Sequence, residues 1–563
     1  MRRYGKYAVI LLLAAIYLGS IWQRPLFAPD EFRYSEISRE MIASGDWIVP
    51  RLAGMPYFEK PVMGYWLNAI AMKLVGEVPG ACRLAGALTT LFAAFAIWLL
   101  CCRANAPKLA AVAPVVFLLS GLVFAIGTYG VLDAPLVCFL TWTMVMFYFA
   151  WGEKRRLRQA GFLALAGISC GCAFLSKGAL GVVLPGVACC LFLLWQREWK
   201  RIFTLFWIPL LFLLLTAAPW SIAIHRAEPD FWRHFIVVEH VQRALEGTST
   251  GDDRGEPFWF YLPVAVLGLM PWLLLLPVFW RPWRDHWRAY LTQPLLRLSL
   301  CCCGAWFVLF SVSAGKLGTY ILPCFPWFAI LIGWGLLRGV ESGTLPAADR
   351  VLSWLIRILL PIPAVLFLLQ TIGRFTDWIP GKWMVYERGE NYFLPVFAVM
   401  VMLIWFRLAV RERTPALKFA WFCAGVGLIA LTVHSSMPLR FLAKQNQAAF
   451  LRNPAVAGYL DRKGVPVAAD STLAAAASWV LRRDDLLIYE KPGEFRYGLE
   501  RPEGAGRHLT PEMLAERLNS GGPMLLLLSS ERRIRQVPAP ENRRRIKIQS
   551  GRFCAVYYPG DEG

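Results

Sequence analysis

Acidic, basic and aromatic residues follow the first apolar segment of the chain at a regular spacing. Asp30, Arg33 and Tyr34 stand at i, i+3 and i+4, so a helix there would place the three side chains on one face. That face would lie where lipid headgroups lie, and Arg33 is a cation that can bind a phosphate. The simpler alternative is a helix start, in which Asp30 is the cap after Pro29 and Arg33 is a solvated charge.

A second polar cluster has the sequence YFEKP at 57–61. Lys60 could hold a phosphate as a point charge, Glu59 could bind a cation, and Tyr57 adds an aromatic side chain with a hydroxyl. Alternatively, Glu59 and Lys60 form a surface ion pair before a proline, which would contribute little to stability.

Two further candidates stand at the ends of apolar segments. Asp133 lies at the mouth of one segment, and a carboxylate near the membrane is a functional hypothesis by default, although capping of the following helix is the rival explanation. Lys316 and Tyr320 lie in a short turn at the mouths of two others. Alternatively, these two side chains simply extend from the apolar region of the membrane to its polar interface.

Two histidines and a glutamate occur together at 231–243. These residue types could bind a metal, but the spacing of His234 and His240 fits no strong metal-ligand template. A single interfacial histidine is more often a hydrogen-bonding group than a metal ligand. His240 becomes a ligand candidate only if the fold brings it to Glu59 or Asp30.

The composition indicates which scaffold must position these residues. Of the 563 residues, 57% are hydrophobic and 17% are charged, whereas soluble chains average about 45–50% and 25%. Long apolar runs recur from Tyr7 to Met437, so the predicted fold class is an α-helical polytopic membrane protein. Thirteen transmembrane helices are predicted at about 7–23, 82–101, 109–126, 134–151, 160–176, 178–195, 203–221, 258–280, 295–313, 320–337, 351–371, 394–410 and 418–436.

The net charge of +21 follows the membrane topology. Basic residues cluster in short connectors between apolar runs, as expected of loops that stay in the cytoplasm, so no nucleic-acid partner is needed to explain the charge. The N-terminus is then inside, and the candidate residues of the first loop are outside. Basic clusters occur at 2–6, 154–158, 197–201, 281–288 and 407–418.

The segment 438–563 differs in composition from the rest and is predicted to be a soluble α/β domain on the outer side. Residues 1–437 form the transmembrane catalytic domain, with outer juxtamembrane helices at about 28–80. The tail contains no glycine-rich phosphate loop and no metal-ligand spacing, so it is interpreted as a cap or recognition module. Strands are predicted at 464–469, 486–489, 524–528 and 553–558, and helices at 471–481 and 511–518.

The outer face therefore combines acids, phosphate-seeking cations and tyrosines. This combination suits a lipid phosphate that carries a polar group, and a lipid-linked sugar phosphate is the natural substrate. A lipid transporter or flippase is the rival class, but it would place polar residues near the membrane midplane. The spans are mostly free of such residues, which favours an enzyme over a transporter, and a non-catalytic sensor of such a lipid is an alternative without support in the sequence.

Several motifs together resemble the GT-C membrane glycosyltransferases, which include the protein O-mannosyltransferases. Within them the chain is most similar to the transferases that move 4-amino-4-deoxy-L-arabinose to lipid A, and the similarity extends over nearly its whole length. The motifs are PDEFRYSEISREM at 29–41, SGDW at 44–47, YFEKP at 57–61, GYW at 64–66, GTY at 127–129, LD at 132–133, SKG at 176–178, FW at 231–232, EHVQR at 239–243, PFW at 257–259, GKL at 315–317, RDD at 483–485 and GEFRYGL at 493–499.

The resemblance implies a reaction and a location. Aminoarabinose would pass from undecaprenyl phosphate to a lipid A phosphate at the periplasmic face of the bacterial inner membrane, with inversion at the anomeric carbon. The product would give resistance to polymyxin and cationic antimicrobial peptides. The expected partners are the lipid-linked donor, lipid A and membrane lipids, and the chain is expected to be a monomer. The alternative is a GT-C transferase that moves another prenyl-phosphate-linked sugar to a protein or glycan.

The resemblance also assigns roles to residues. Asp30, Lys60, Arg33 and Asp133 are the expected catalytic residues. Tyr34, Tyr57 and Tyr320 are expected to line the donor phosphate site with Lys60. Glu59 and His240 match a pair that can hold a divalent cation, with zinc as the candidate; whether activity requires the metal stays open.

An ionised acceptor phosphate needs no strong general base, so we expect Asp30 to position groups or balance charge. Lys60, Arg33 or a cation would stabilise the charge that develops on the departing phosphate. The sugar's protonated 4-amine would be recognised by a carboxylate, with Asp133 and Glu59 as the candidates.

Overall fold

The structure is a computed structural model and describes most of the chain. The described residues are 2–242, 256–341, 345–359, 361–376, 393–435, 437–438, 441–442, 445–460, 464–537 and 544–560. Within them the contacts divide the chain into two compact units. Unit 1 comprises 1–23, 83–223 and 236–436, and unit 2 comprises 24–82, 224–235 and 437–563.

Unit 1 is built from apolar helices. Their bounds are Arg2–Ser20, Ala81–Arg103, Pro107–Leu118, Gly121–Gly127, Asp133–Gly152, Arg156–Lys177, Leu180–Trp195, Arg201–Leu205, Trp207–Ala227, Tyr261–Gly268, Leu276–Tyr290, Pro294–Val312, Phe325–Glu341, Leu345–Trp354, Pro361–Phe375, Phe393–Arg411 and Pro415–Ser435. The π-helical segments are His234–Gln242 and Leu355–Leu359, and 3-10 turns occur at Trp272–Leu275 and Gly318–Cys324.

Each of the thirteen predicted spans coincides with one helix or with a series of short ones. Within the described residues, seven helices are long and apolar enough to cross a membrane, or up to nine if each of two bent pairs is one span. The bent pairs turn by 65° between Pro107–Leu118 and Gly121–Gly127, and by 81° between Tyr261–Gly268 and Trp272–Tyr290. The prediction of a polytopic helical membrane protein is confirmed.

A pair of glycines brings two helices of unit 1 into close contact. Gly167 and Gly171 lie one turn apart, and they face the helix Trp207–Ala227. A Cβ atom added at Gly167 would lie 2.4 Å from the carbonyl oxygen of Pro209, and one added at Gly171 would lie 2.6 Å from Cβ of Thr216. Small residues at this spacing let helix backbones approach closely where no hydrophobic effect drives association.

Unit 2 combines the first polar loop with the C-terminal segment. Its longer helices are Asp30–Ser44, Met63–Val75, Ser471–Leu481 and Pro511–Asn519, and shorter ones lie at Phe231–Arg233, Gln447–Leu451, Pro454–Leu460 and Arg496–Leu499. Further 3-10 turns occur at Gly493–Phe495, Pro502–Gly504 and Glu531–Gln536. Strands β1 (Arg51–Leu52) and β2 (Met55–Pro56) form an antiparallel hairpin.

The C-terminal segment forms a six-stranded sheet in the order β5-β4-β3-β6-β8-β7. Its strands are β3 (Val467–Asp470), β4 (Leu487–Tyr489), β5 (His508–Leu509), β6 (Met524–Leu528), β7 (Ile546–Ser550) and β8 (Phe553–Tyr558). The first four in spatial order are parallel, and β8 pairs antiparallel with β6 and β7. The predicted strands and both predicted helices of this segment are confirmed.

One buried carboxylate ties the centre of this sheet to the helix that follows it. Asp470, at the end of β3, accepts a hydrogen bond from the backbone NH of Leu473 at 3.1 Å and so caps the helix Ser471–Leu481. Its other oxygen accepts from the backbone NH and the hydroxyl of Ser529, each at 2.7 Å. The cap therefore fixes the helix to two neighbouring parallel strands.

The helix Asp30–Ser44 is buried although it is rich in charge. Arg39 binds Glu36 through two hydrogen bonds of 2.7 and 2.8 Å, so this pair is compensated within the helix. Glu40 lies one turn after Glu36; its Oε2 accepts from the backbone NH of Gly54 at 2.9 Å, while its Oε1 has no hydrogen-bond partner among the described residues. Burial, together with the charge of Glu36, raises the pKa of Glu40 to about 8.

We predict that Glu40→Gln removes part of the pH dependence of stability. Glu40 titrates near 4.5 when unfolded and near 8 when folded, so the folded protein holds the extra proton between these values. The contribution of protonated Glu40 to the free energy of unfolding is fully present below the unfolded pKa of 4.5. It is lost as the pH rises through the folded pKa of about 8. The glutamine, which resembles the protonated acid, should lack this decline.

The measurement is the thermal unfolding midpoint of the detergent-solubilised chain at several pH values across this window. Glu500→Gln is the matched control, because Glu500 is an exposed carboxylate of the same unit. A wild-type and a Glu40→Gln curve that run parallel would show that Glu40 is already ionised in the folded protein.

Candidate active site

The helix Asp30–Ser44 places three candidate residues together in unit 2. Asp30 is its first residue, and the helix has no side-chain cap at Pro29. Instead, the carboxylate of Asp30 lies 3.3 Å from Nη2 of Arg33, one turn later. The capping role considered for Asp30 is therefore not observed, and the acid is directed to the arginine.

The loop after the β1–β2 hairpin brings the second cluster to Arg33. Nη1 of Arg33 donates a hydrogen bond to the Tyr57 hydroxyl at 3.2 Å and lies 3.7 Å from a carboxylate oxygen of Glu59. The Lys60 ammonium donates to the Tyr34 hydroxyl and lies 4.6 Å from the centre of the Tyr34 ring. Five of the predicted site residues thus meet around Arg33.

The C-terminal segment adds a carboxylate that the sequence did not assign to the site. Glu494 forms an ion pair with Nη2 of Arg33, which is the same nitrogen that faces Asp30. Glu494 lies in the 3-10 turn Gly493–Phe495, after strand β4. In open α/β sheets, functional residues gather in loops at the carboxyl ends of the parallel strands, and this loop is one of them.

Acidic groups outnumber cations in this cluster. Asp30, Glu59 and Glu494 approach Arg33, whose side chain is only 6% exposed, and Lys60 is the neighbouring cation. Burial raises the pKa of Glu494 to about 7; Arg33 opposes the rise, and Glu59 and Asp30 add to it. Among the described residues the cluster therefore holds three acids and two cations, and Glu494 exchanges a proton near neutral pH.

The two tyrosines of the cluster are held in their neutral form. Burial raises the pKa of Tyr34 to about 12, even though the charges of Lys60 and Arg33 act in the opposite direction. Burial likewise raises the pKa of Tyr57 well above its usual value. Both hydroxyls therefore remain protonated and can donate hydrogen bonds to an anion.

A second group of candidates meets in unit 1. Asp133 begins the helix Asp133–Gly152, and its carboxylate forms an ion pair with Lys177 at the end of the helix Arg156–Lys177. The Lys177 ammonium lies 4.3 Å from the centre of the Tyr320 ring. Asp133 and Tyr320, predicted separately from the sequence, are joined here by a lysine. Lys316 lies apart from this ion pair, and its ammonium donates to the carbonyl oxygen of Glu256 at 2.9 Å.

Comparison with family models divides the chain into two matched regions. A model described as dolichyl-phosphate-mannose-protein mannosyltransferase matches residues 7–235. A model described as arabinosyl transferase ArnT, C-terminal domain, matches residues 443–556.

Two solved structures share the fold over nearly the whole chain. ArnT from Cupriavidus metallidurans bound to undecaprenyl phosphate aligns with a TM-score of 0.79 and 23% sequence identity, covering 98% of both chains. Its apo form aligns with a TM-score of 0.78 and 22% identity, covering 99% of this chain and 98% of the other. The predicted GT-C fold is thereby confirmed.

Two relatives that share more of the sequence are named undecaprenyl phosphate-alpha-4-amino-4-deoxy-L-arabinose arabinosyl transferase. The relative from Shewanella sediminis is 34% identical over 98% of this chain and 97% of its own length. The relative from Aeromonas salmonicida is 36% identical over 93% of each chain. The chain belongs to this family. The family resemblance predicted from the motifs is confirmed, and the protein is a multi-pass membrane glycosyltransferase.

The aminoarabinose transferase family was expected to hold a divalent cation at Glu59 and His240. The side chain of His240 lies outside the described residues, and Glu59 lies 3.7 Å from Arg33. Among the side chains that the structure describes, no group of three or more His, Cys, Asp or Glu residues could hold a metal ion. The meeting of Glu59 and His240 therefore lies outside the described residues; we derive no chemical step through a cation, and zinc stays a prediction.

Sequence reasoning missed two members of these groups in the aminoarabinose transferase chain. In the sequence, Lys177 stands out only as part of the SKG motif, and Glu494 only as part of the GEFRYGL motif. Lys177 could have been found as the basic residue that the carboxylate of Asp133 requires near the membrane. For Glu494 the signal was the GEFRYGL motif, because it places charged residues in a segment that was otherwise interpreted as a cap.

We predict that Arg33→Ala destabilises the protein by about 3 kcal/mol, because it removes the cation that three partly buried carboxylates share. Adding Glu494→Gln to this variant should restore part of the loss, since one of the unpaired charges is then absent. Chemical or thermal unfolding in detergent measures both effects.

Arg496→Ala is the control for this prediction. Arg496 is 71% exposed and pairs with Glu500 at 3.7 Å, so its loss should change stability by less than about 0.5 kcal/mol. Equal stability of the wild-type and Arg33→Ala proteins would mean that Arg33 does not hold the cluster together.

Proposed function

We propose that this chain transfers 4-amino-4-deoxy-L-arabinose from undecaprenyl phosphate to phosphate groups of lipid A, with inversion at the anomeric carbon. The observation that carries the proposal is its similarity, along its entire length, to relatives named for this donor and sugar. The cluster around Arg33 supports it, because its groups are those that bind a phosphate: a guanidinium, an ammonium and two neutral tyrosine hydroxyls.

In this proposal the donor phosphate binds at Arg33 and Lys60. Cleavage of the bond to the sugar leaves undecaprenyl phosphate, whose charge grows as the bond breaks. A guanidinium and an ammonium held in place before the reaction stabilise that charge without having to reorganise. Tyr34 and Tyr57 orient Lys60 and Arg33 by hydrogen bonds, and their protonated hydroxyls add donors.

The acceptor needs little activation, because a lipid A phosphate is already ionised at neutral pH. Asp30 therefore positions Arg33 and balances its charge, as its 3.3 Å ion pair suggests. Asp133 holds Lys177 beside Tyr320, and a lysine fixed in this way is a second point charge for a phosphate.

The proposed location is the periplasmic face of the inner membrane, with the chain acting as a monomer among membrane lipids. Basic connectors keep one side of the helical unit in the cytoplasm, which leaves the polar loop and the C-terminal segment on the other. Addition of a positively charged aminosugar to a lipid A phosphate reduces the negative charge of the outer surface. Cationic peptides such as polymyxin are then attracted less strongly, which is the proposed physiological result.

A second candidate is transfer of another prenyl-phosphate-linked sugar to a protein or glycan. The match of residues 7–235 to the mannosyltransferase model supports this second candidate. A hydroxyl acceptor must lose a proton during attack, so this reaction would make a general base indispensable, and Asp30 would be that base.

We predict that the wild-type gene adds aminoarabinose to lipid A in a Gram-negative strain that lacks its own transferase but makes the donor. Asp30→Asn should keep near-normal addition, because the acceptor needs no base. Lys60→Ala should lower the rate by about 100-fold or more, because it removes a group that stabilises the leaving phosphate. Mass spectrometry of lipid A measures the addition, and turnover of purified protein measures the rates.

Lys73→Ala is the control, since Lys73 is an exposed lysine of the same unit. If the wild-type protein reaches the membrane and no sugar is added, the proposed donor or acceptor is wrong. If Asp30→Asn abolishes transfer, the reaction depends on proton removal and the hydroxyl-acceptor candidate gains.

A further inference from the structure

The segment that carries Glu494 is fixed in place by contacts on both sides of the turn. A Cβ atom added at Gly493 would lie 3.0 Å from Oγ of Ser471, and Gly493 has a φ of +52°, so this position favours glycine. A Cβ atom added at Gly498 would lie 2.6 Å from Cβ of Met55. The close packing of this turn therefore holds Glu494 next to Arg33.

Aromatic and ionic contacts extend this fixation. The Tyr497 ring lies 4.9 Å from the ring of Phe58 and 4.3 Å from that of His234, measured between centroids. Arg501 pairs with Asp230 at 2.8 Å. The carboxylate of Glu494 therefore approaches Arg33 from a segment that is attached to the residues around the site.

The position of Glu494 creates a conflict with the donor phosphate. An arginine has a limited number of donors, and here Glu494 and Asp30 face one terminal nitrogen of Arg33 while Tyr57 and Glu59 face the other. A phosphate that binds Arg33 must share or replace these partners. Among the described side chains, three acids face two cations, so an added phosphate increases the negative charge around Arg33 and is favoured when a positive group accompanies it.

The donor of the proposed function supplies that positive group, because its 4-amine is protonated near neutral pH. The spent carrier, undecaprenyl phosphate, brings a phosphate and no amine. We propose that Glu494 is a specificity-determining residue that favours a lipid phosphate bearing an ammonium group over one that lacks it. This inference rests on the proposed function and deepens it, since it assigns recognition of the amine to the C-terminal segment.

Glu494 is better suited to this role than the two carboxylates considered from the sequence. Asp133 is already paired with Lys177, and Glu59 lies 3.7 Å from Arg33. Glu494 makes the closest ion pair with Arg33, through Nη2. A phosphate that binds this nitrogen therefore displaces Glu494, whose carboxylate is then available to the amine. Burial raises its pKa to about 7, and the neighbouring charges of Arg33, Glu59 and Asp30 act on it as well. Release of product follows naturally, because the remaining carboxylates repel a carrier that has lost its amine.

The test compares binding of three probes to the purified full-length chain in lipid nanodiscs, without acceptor. The probes are undecaprenyl phosphate-aminoarabinose, the isosteric undecaprenyl phosphate-L-arabinose with a 4-hydroxyl, and undecaprenyl phosphate. The wild-type protein should bind the amine probe about tenfold more tightly than the hydroxyl probe. In Glu494→Gln this ratio should fall to about 1, while undecaprenyl phosphate binds as tightly as before or more tightly.

Glu500→Gln is the matched control and should keep the wild-type ratio, because Glu500 is an exposed carboxylate of the same segment that pairs with Arg496. A Glu494→Gln protein that keeps the preference for the amine overturns the inference. Equal weakening of all three probes overturns it too, because Glu494 would then only support Arg33. If the wild-type protein binds the lipids but ignores the amine, the inference alone fails; if it binds none of them, the proposed function fails with it.

Discussion

The ion pairs of Arg33 are the interaction on which the organisation of unit 2 depends. Arg33 is almost completely buried, and a buried guanidinium is tolerated only when acceptors surround it. Its acceptors come from three parts of the chain: its own helix supplies Asp30, the following loop supplies Tyr57 and Glu59, and the C-terminal segment supplies Glu494. The requirement to compensate one charge therefore holds together segments that are distant in sequence.

The same arrangement explains how a structural cluster can also act on a substrate. A cluster whose charges are paired but not fully balanced favours a ligand that brings a positive group together with its phosphate. In the proposed reaction this ligand carries a phosphate and an amine on one molecule. Arg33 and Lys60 favour the phosphate, and the excess of carboxylates favours the amine. Ligand binding and the stability of the cluster therefore depend on the same interactions between charged groups.

Local patterns in the sequence were sufficient for much of this description. The i, i+3 and i+4 spacing of Asp30, Arg33 and Tyr34 correctly predicted a helix that brings them together, because helix geometry depends on neighbouring residues. Strands β3, β4, β6 and β8 are apolar runs of the expected length, and the helix Ser471–Leu481 was predicted with the same bounds. Long apolar runs likewise identified the spans.

Features that depend on distant contacts could not be predicted in this way. Strand β5 has only two residues, and β7 alternates polar and apolar residues at the sheet edge, so neither has a strong local pattern. The ion pairs of Glu494 with Arg33 and of Lys177 with Asp133 join residues far apart in the chain. Charge alone does not specify which of many possible partners a side chain meets, and only the fold determines it.

The most direct test of this account is an experimental structure of the full chain with undecaprenyl phosphate bound. We expect the phosphate within hydrogen-bonding distance of both Arg33 and Lys60, with the ion pair between Arg33 and Glu494 opened to admit it. A phosphate bound elsewhere, with Arg33 still paired to Glu494, would contradict the claim that this cluster receives the donor.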